Sequence, residues 1–209
     1  MKNEPLFKFV AIAGIASVFM AFASAAHADG GKAITRAGTY TTSRGGSGTM
    51  STVTTRSNGV VSKQGSWTNA SGGTGTWQSQ ANWNKASQTA TVNGSATTPK
   101  GATTTWLGTE ARTAPGTITA SGTLTKANGT QATYSATDTK VAPGTWDKTE
   151  VITNANGTTT QRTVDTTVNG SSGTRTVTTT LPNGQTETRN ASFTQTVAQI
   201  PAPAPFPGP

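Results

Sequence analysis

The 209-residue chain has no cysteine, and its one histidine is His27. Without thiols there is no disulfide scaffold, no thiolate metal centre and no cysteine nucleophile. His27 falls at the end of an apolar leader, so histidine acid–base, triad and metal chemistry is excluded from the mature chain. Charge is also scarce, at 11% of residues, and its balance is basic, with a formal net charge of +8. The acids beyond the leader are Asp29, Glu110, Asp138, Asp147, Glu150, Asp165 and Glu187. Asp147 and Glu150 are the closest pair of them in an otherwise strand-like stretch. A separation of three puts them on opposite faces of a strand, which is wrong for a carboxylate dyad. The expectation is a protein that is not an enzyme and carries no cofactor and no metal.

Large apolar side chains are few. Leu, Ile, Val and Phe number 19 between Asp29 and Pro209, near a tenth of that stretch. That lies below the roughly 20% typical of chains with a thick core. A single deep core is therefore excluded, and a thin sheet array with local contacts takes its place.

The leader is well marked. Lys2 and Lys8 precede an apolar run from Phe9 to Ala23, and Ala26-His27-Ala28 has the small-x-small form of a cleavage site. Cutting is expected between Ala28 and Asp29. The run is too short to span a bilayer, which takes about 20 apolar residues. Residues 1–28 therefore read as a bacterial export signal, with no transmembrane segment left after its removal.

Threonine is what the mature chain has in abundance, close to one position in every four. The chain is also periodic. Ala114-Pro115-Gly116-Thr117 recurs as Ala142-Pro143-Gly144-Thr145, and Ala127-Asn128-Gly129-Thr130 as Ala155-Asn156-Gly157-Thr158. The two steps are equal, and Trp106 with Tyr134, Ile118 with Trp146 and Leu124 with Ile152 keep the same step. A fixed period of this length signals stacked structural repeats. Each repeat holds two turns: Asn-Gly, which favours a type I′ hairpin, and Pro-Gly, which fits type II. Turns are expected near residues 46, 59, 73, 86, 100, 115, 128, 143, 156, 171 and 183. Between them lie Thr-rich stretches of β-formers. In Thr117–Thr125 the hydroxyls alternate with Ile118, Ala120 and Leu124, so one strand face is apolar.

The expected fold is all-β: an antiparallel up-and-down meander of about 12 strands in ~28-residue hairpin repeats over residues 29–200. Residues 201–209 hold five of the ten prolines and read as a disordered Pro-rich tail. Periodicity leaves open whether the sheet is a single layer, a sandwich or a barrel. A transmembrane barrel conflicts with the row Arg162-Val164-Thr166-Val168, because a lipid-facing row needs four or five apolar residues. The expectation is instead a sheet with one weakly apolar face, curled, paired or stacked on another copy.

Three features bear on function. Trp67, Trp77, Trp83, Trp106 and Trp146 form a possible ligand platform, since exposed indoles stack on sugar rings. The repeat position that Trp106 shares with Tyr134 reads as core instead. Thr-x-Thr pairs such as Thr103/Thr105 and Thr137/Thr139 could order water as an ice-binding face. The cations Arg162, Arg175 and Arg189 recur at near-equal steps, about one per strand. Such a ladder attracts anionic surface polysaccharide or serves solubility and guards sheet edges. No specific nucleic-acid signature is present.

The expected function is a secreted, non-catalytic structural or adhesive β-repeat protein of the cell surface or extracellular matrix, with self-association or anionic polysaccharide as partners. The alternatives are a carbohydrate-binding module using exposed Trp, and an ice-binding protein using Thr-x-Thr rows. Secreted, periplasmic and cell-surface locations all fit the leader.

Overall fold

The computed structural model describes residues 31–200. The leader, its cleavage site at Ala28 and Asp29, and the proline-rich tail lie outside the described residues. Twelve strands follow one another: β1 (Gly31–Thr42), β2 (Ser47–Ser57), β3 (Val60–Asn69), β4 (Thr74–Asn84), β5 (Thr89–Thr97), β6 (Thr103–Ala114), β7 (Thr117–Thr125), β8 (Gln131–Ala142), β9 (Thr145–Asn154), β10 (Thr159–Asn169), β11 (Ser172–Thr180) and β12 (Thr186–Ile200). Each pairs antiparallel with its sequence neighbours, and β1 pairs with β12 from Gly31↔Ile200 to Thr42↔Arg189. The meander is a closed barrel. An open sheet with free edges is thereby replaced by a wall in which every strand has two partners, which removes the edges that would pair with other copies.

The turns fall where the Gly-containing signals place them, but their geometry alternates by end. The end at which β1 begins and β12 finishes has short turns, including Asn58-Gly59 with φ of 49° and 78°, the type I′ signature. Pro115-Gly116 and Pro143-Gly144 have glycine φ of 77°, as type II requires. Just before them the register slips between Arg112 and Ala114 and between Lys140 and Ala142. The two bulges occupy equivalent positions in successive repeats. At the far end Asn128-Gly129 and Asn156-Gly157 are not type I′: the glycine alone has positive φ, at 79° and 80°. The glycine N–H donates to a carbonyl three positions back, as in Gly129 to Lys126 at 2.8 Å. The asparagine side chain instead accepts from the backbone two positions on, as in Thr130 N–H to Asn128 at 3.1 Å. Longer loops, residues 126–130 and 155–158, turn the chain here, so asparagine need not take the left-handed conformation.

Alternation sorts the two faces. In β7 the buried residues are Ile118, Ala120 and Leu124, while the hydroxyl row faces out. The row Arg162-Val164 of β10 is buried at 3% for both residues, so it lines the lumen. The outer row of β10 is Thr159, Gln161, Thr163, Asp165, Thr167 and Asn169. Register aligns threonines across strands, as in Thr119↔Thr137↔Thr149↔Thr163↔Thr178↔Thr188. Some pairs bond through their hydroxyls, such as Thr97 with Thr103 at 3.0 Å. These rows wrap a closed, curved wall and make no flat plane.

The core lines one side of the lumen. It runs over β3 to β9 and includes Val61, Trp77, Val92, Trp106, Ile118, Leu124, Tyr134 and Ile152. Ile118, Leu124, Trp106, Tyr134, Trp146 and Ile152, which share the repeat step, all point inward. Two strands separate equivalent positions, so the pleat returns each to the same face.

Candidate lumenal anion site

The lumen is charged as well as apolar. Glu150 and Lys148 alternate on β9 and meet at 3.4 Å, both almost fully buried. Arg162 is the direct cross-strand partner of Glu150, so one carboxylate sits between two cations at the barrel waist. Asp147, on the other face of β9, is exposed, as a separation of three from Glu150 demands. Arg175 on β11 and Arg189 on β12 also point inward. The stepped cations are therefore not a solubility or edge-guarding ladder: the structure turns Arg162, Arg175 and Arg189 into the barrel. Their row was legible, because each shares its alternation with an apolar residue, as Arg162 does with Val164 and Arg175 with Val177.

Two chambers flank the waist. The chamber toward the start of β1 has a volume of about 350 Å³ and is lined by Arg36, Arg56, Lys63, Arg112, Lys140, Lys148 and Arg175, with Asp138 as its one carboxylate. Its apolar lining is Ile34, Met50, Ile118, Trp146, Val164 and Phe193, and Thr52, Thr54 and Thr166 add hydroxyls. Burial pushes the Lys63 ammonium down to about 7, against the pull of Glu110, and Arg56, Arg36 and Lys148 add to the lowering. Burial also lowers Arg162 and Arg175 to about 10, which leaves both guanidiniums charged at neutral pH. The same loss of water raises Asp138, opposed by Lys148, Lys63 and Arg175. The chamber is strongly cationic, and its low-dielectric walls concentrate that field. The far-end chamber is smaller, at about 240 Å³, and is lined by aromatic and aliphatic side chains with Arg175 and Arg189.

All five tryptophans point inward. Trp77 and Trp106 are 6% and 4% exposed. Trp67 and Trp83 pack partly buried against the core. Trp67 and Trp77 line the far-end chamber, and Trp146 the basic one. No indole stands on the outer wall, so the five do not form one exposed surface. What the sequence reading missed was the basic chamber: its cations come from β1, β2, β3, β6, β8, β9 and β11 and converge only on closure.

No family model and no curated protein matches the chain. Solved structures do. The chain is similar to a KdgM porin, with a TM-score of 0.59 at 12% identity, covering 78% of this chain and 98% of that one. The fold is that of a porin-type barrel. A mutant porin of Rh. blastica is also similar, with a TM-score of 0.46 at 7% identity over 79% of this chain and 99% of that one. The closed porin-type barrel overturns the reading of a secreted structural or adhesive repeat protein, which needs free sheet edges or an extended array. It also removes the two alternatives, a carbohydrate module with exposed Trp and an ice-binding face of Thr-x-Thr rows, because the indoles are inside and the threonine wall is curved. Among the described residues no helix is long and apolar enough to cross a membrane. A barrel crosses with strands, so the absence of a helical span does not decide the matter.

Proposed function

We propose that this chain is a barrel protein of the bacterial envelope whose basic lumen takes up small anions. The observation that carries the reading is the chamber whose lining holds seven basic side chains and one carboxylate, Asp138, an excess of positive charge that stands even with Glu150 paired to Lys148. Rings of Arg and Lys are how pores and pockets choose anions. The leader ending at Ala28 supports export, and the porin-type fold supports an envelope location.

The wall favours an aqueous setting. A lipid-facing barrel has an apolar band about 25 Å tall, edged by aromatic girdles. Here the aromatic side chains of the described residues are inside, and the outer rows are mainly Thr, Ser, Gln and Asn. Leu107 and Val141 are the exposed large apolar residues of that wall among the described residues, apart from Val197 near the end of β12. Each hydroxyl taken from water into an apolar phase costs about 0.5–2 kcal/mol even on lenient scales, and the wall carries them on every strand. The second reading is an anion channel of the outer membrane, and the porin likeness is the observation that favours it.

Calorimetric titration of the exported protein with sulfate at low ionic strength tests the first part. Sulfate is expected to bind, and Lys63→Met or Arg56→Gln to weaken it at least tenfold; unchanged binding in both variants sinks the reading. Phase separation in a nonionic detergent tests the setting. Recovery in the aqueous phase supports the hydroxyl-walled barrel, whereas recovery in detergent with anion-selective conductance in planar bilayers supports the channel.

A further inference from the structure

We infer that the far-end chamber is a second binding site, built for a one-ring aromatic carboxylate. Its wall is of a different kind from that of the basic chamber. The rings of Trp67, Trp77 and Tyr40 line it with Met50 and Val177, and its charged groups are Arg175 and Arg189 alone, with no carboxylate among the lining residues. The Arg189 guanidinium lies 4.9 Å from the Tyr40 ring centroid, a cation–π contact that fixes its position. Trp67 in turn lies against Gly75, where any Cβ would overlap the indole, so the ring wall is set by the strands.

The lining selects the ligand by exclusion. A small inorganic anion would meet two guanidiniums and make no use of the aromatic walls. A polyhydroxylated ligand would press part of its hydroxyls on Met50, Val177 and Ala191, away from the polar groups of Tyr40, Thr52, Asn69, Thr98, Arg175 and Arg189 on the rest of the wall; unpaired buried hydroxyls are costly. A flat ring with one carboxylate satisfies both halves: the ring on the indoles, the carboxylate on a planar guanidinium fork. The volume of about 240 Å³ lies under the roughly 300–1,000 Å³ of pockets for drug-sized molecules, which limits the ligand to a single ring. Arg175 lines both chambers and stands between this site and the basic one.

The inference does not rest on the basic chamber binding anions, and the test separates the two. The exported protein is titrated with benzoate, benzyl alcohol and sulfate. Benzoate is expected to bind at least tenfold more tightly than benzyl alcohol. Arg189→Gln is expected to weaken benzoate at least tenfold, and Arg189→Lys to restore part of the loss. Lys63→Met, in the basic chamber, is expected to leave benzoate unchanged within twofold. Benzoate binding no tighter than benzyl alcohol, or lost with Lys63→Met and kept with Arg189→Gln, overturns the site. A measurement on the unaltered protein guards against a variant that fails to fold: bound benzoate should show nuclear Overhauser contacts to the indole protons of Trp67. Contacts to Trp146 alone, or none to Trp67, overturn the site as well.

Discussion

Trp106 lies across Gly94, the residue directly opposite it on the neighbouring strand. A Cβ at Gly94 would overlap the indole. The same pairing joins Tyr40 with Gly48, Trp67 with Gly75, Trp77 with Gly65 and Tyr134 with Gly122. Each of these five rings thus borrows the space of a glycine across the sheet, and the ring covers backbone that the glycine leaves bare; Trp83, opposite Ala90, and Trp146, opposite Thr166 and Lys140, do not. This is how so few large side chains fill one side of a twelve-stranded barrel.

Gly94→Ala is therefore expected to destabilise the barrel by about 1–3 kcal/mol, the usual cost of over-packing. Thermal unfolding followed by near-ultraviolet circular dichroism reads the loss. Combining it with Trp106→Leu should recover part of the deficit, because the two residues compete for one volume. A melting temperature unmoved by Gly94→Ala would refute the pairing.

Phe193 plays this role at the seam. It sits on β12 opposite Gly38 of β1 and Gly173 of β11, and the Arg36 guanidinium lies 5.2 Å from its ring centroid. Phe193→Ala should cost about 3–5 kcal/mol. The loss should appear first as faster amide exchange in residues 32–42 and 189–199, where β1 closes on β12. Uniform acceleration around all twelve strands would place the closing contact elsewhere.

Lys63 makes anion uptake depend on pH. Its ammonium is lowered to about 7 from 10.5 by burial, so it loses its charge as pH rises through neutrality. Sulfate, whose charge is constant over this range, should bind more weakly at pH 8.5 than at pH 6 and should draw a proton onto the protein near pH 7. Stability without anion should move the other way. Between about pH 7 and 10.5 the unfolded chain holds a proton on Lys63 that the folded one lacks, so folding becomes more favourable as pH rises there. Sulfate affinity that is flat between pH 6 and 8.5 in the unaltered protein, or equally steep in Lys63→Met, removes Lys63 from this role.

Export should leave Asp29 as the first residue, because Ala26-His27-Ala28 meets the small-x-small rule. Intact-mass measurement of protein recovered from the cell envelope checks this, and a mass that includes residue 1 would rule it out.

Local chemistry determined a good deal. Glycine supplies left-handed φ at most of the turns, beside asparagine, proline or a second glycine at many of them, so twelve strands and eleven turns were legible along the chain, although the turn after β4 takes its left-handed residue from Gln88. The alternation of threonine with Ile118, Ala120 and Leu124 separated an apolar row from a hydroxyl row, because strand side chains alternate with a period of two. That period also put Asp147 and Glu150 on opposite faces. Closure was not legible. Nothing local to β1 or β12 says that Gly38 will meet Phe193, since their partnership spans the whole chain and depends on the twist summed over every strand between. Closure then decided the rest. It made the weakly apolar row an interior and carried Arg36, Arg56 and Lys63 of the first three strands to one basic chamber with Lys148 and Arg175, which are far from them in sequence. The hydroxyl row became the outer wall, because in a closed barrel the pleat leaves every other residue facing out.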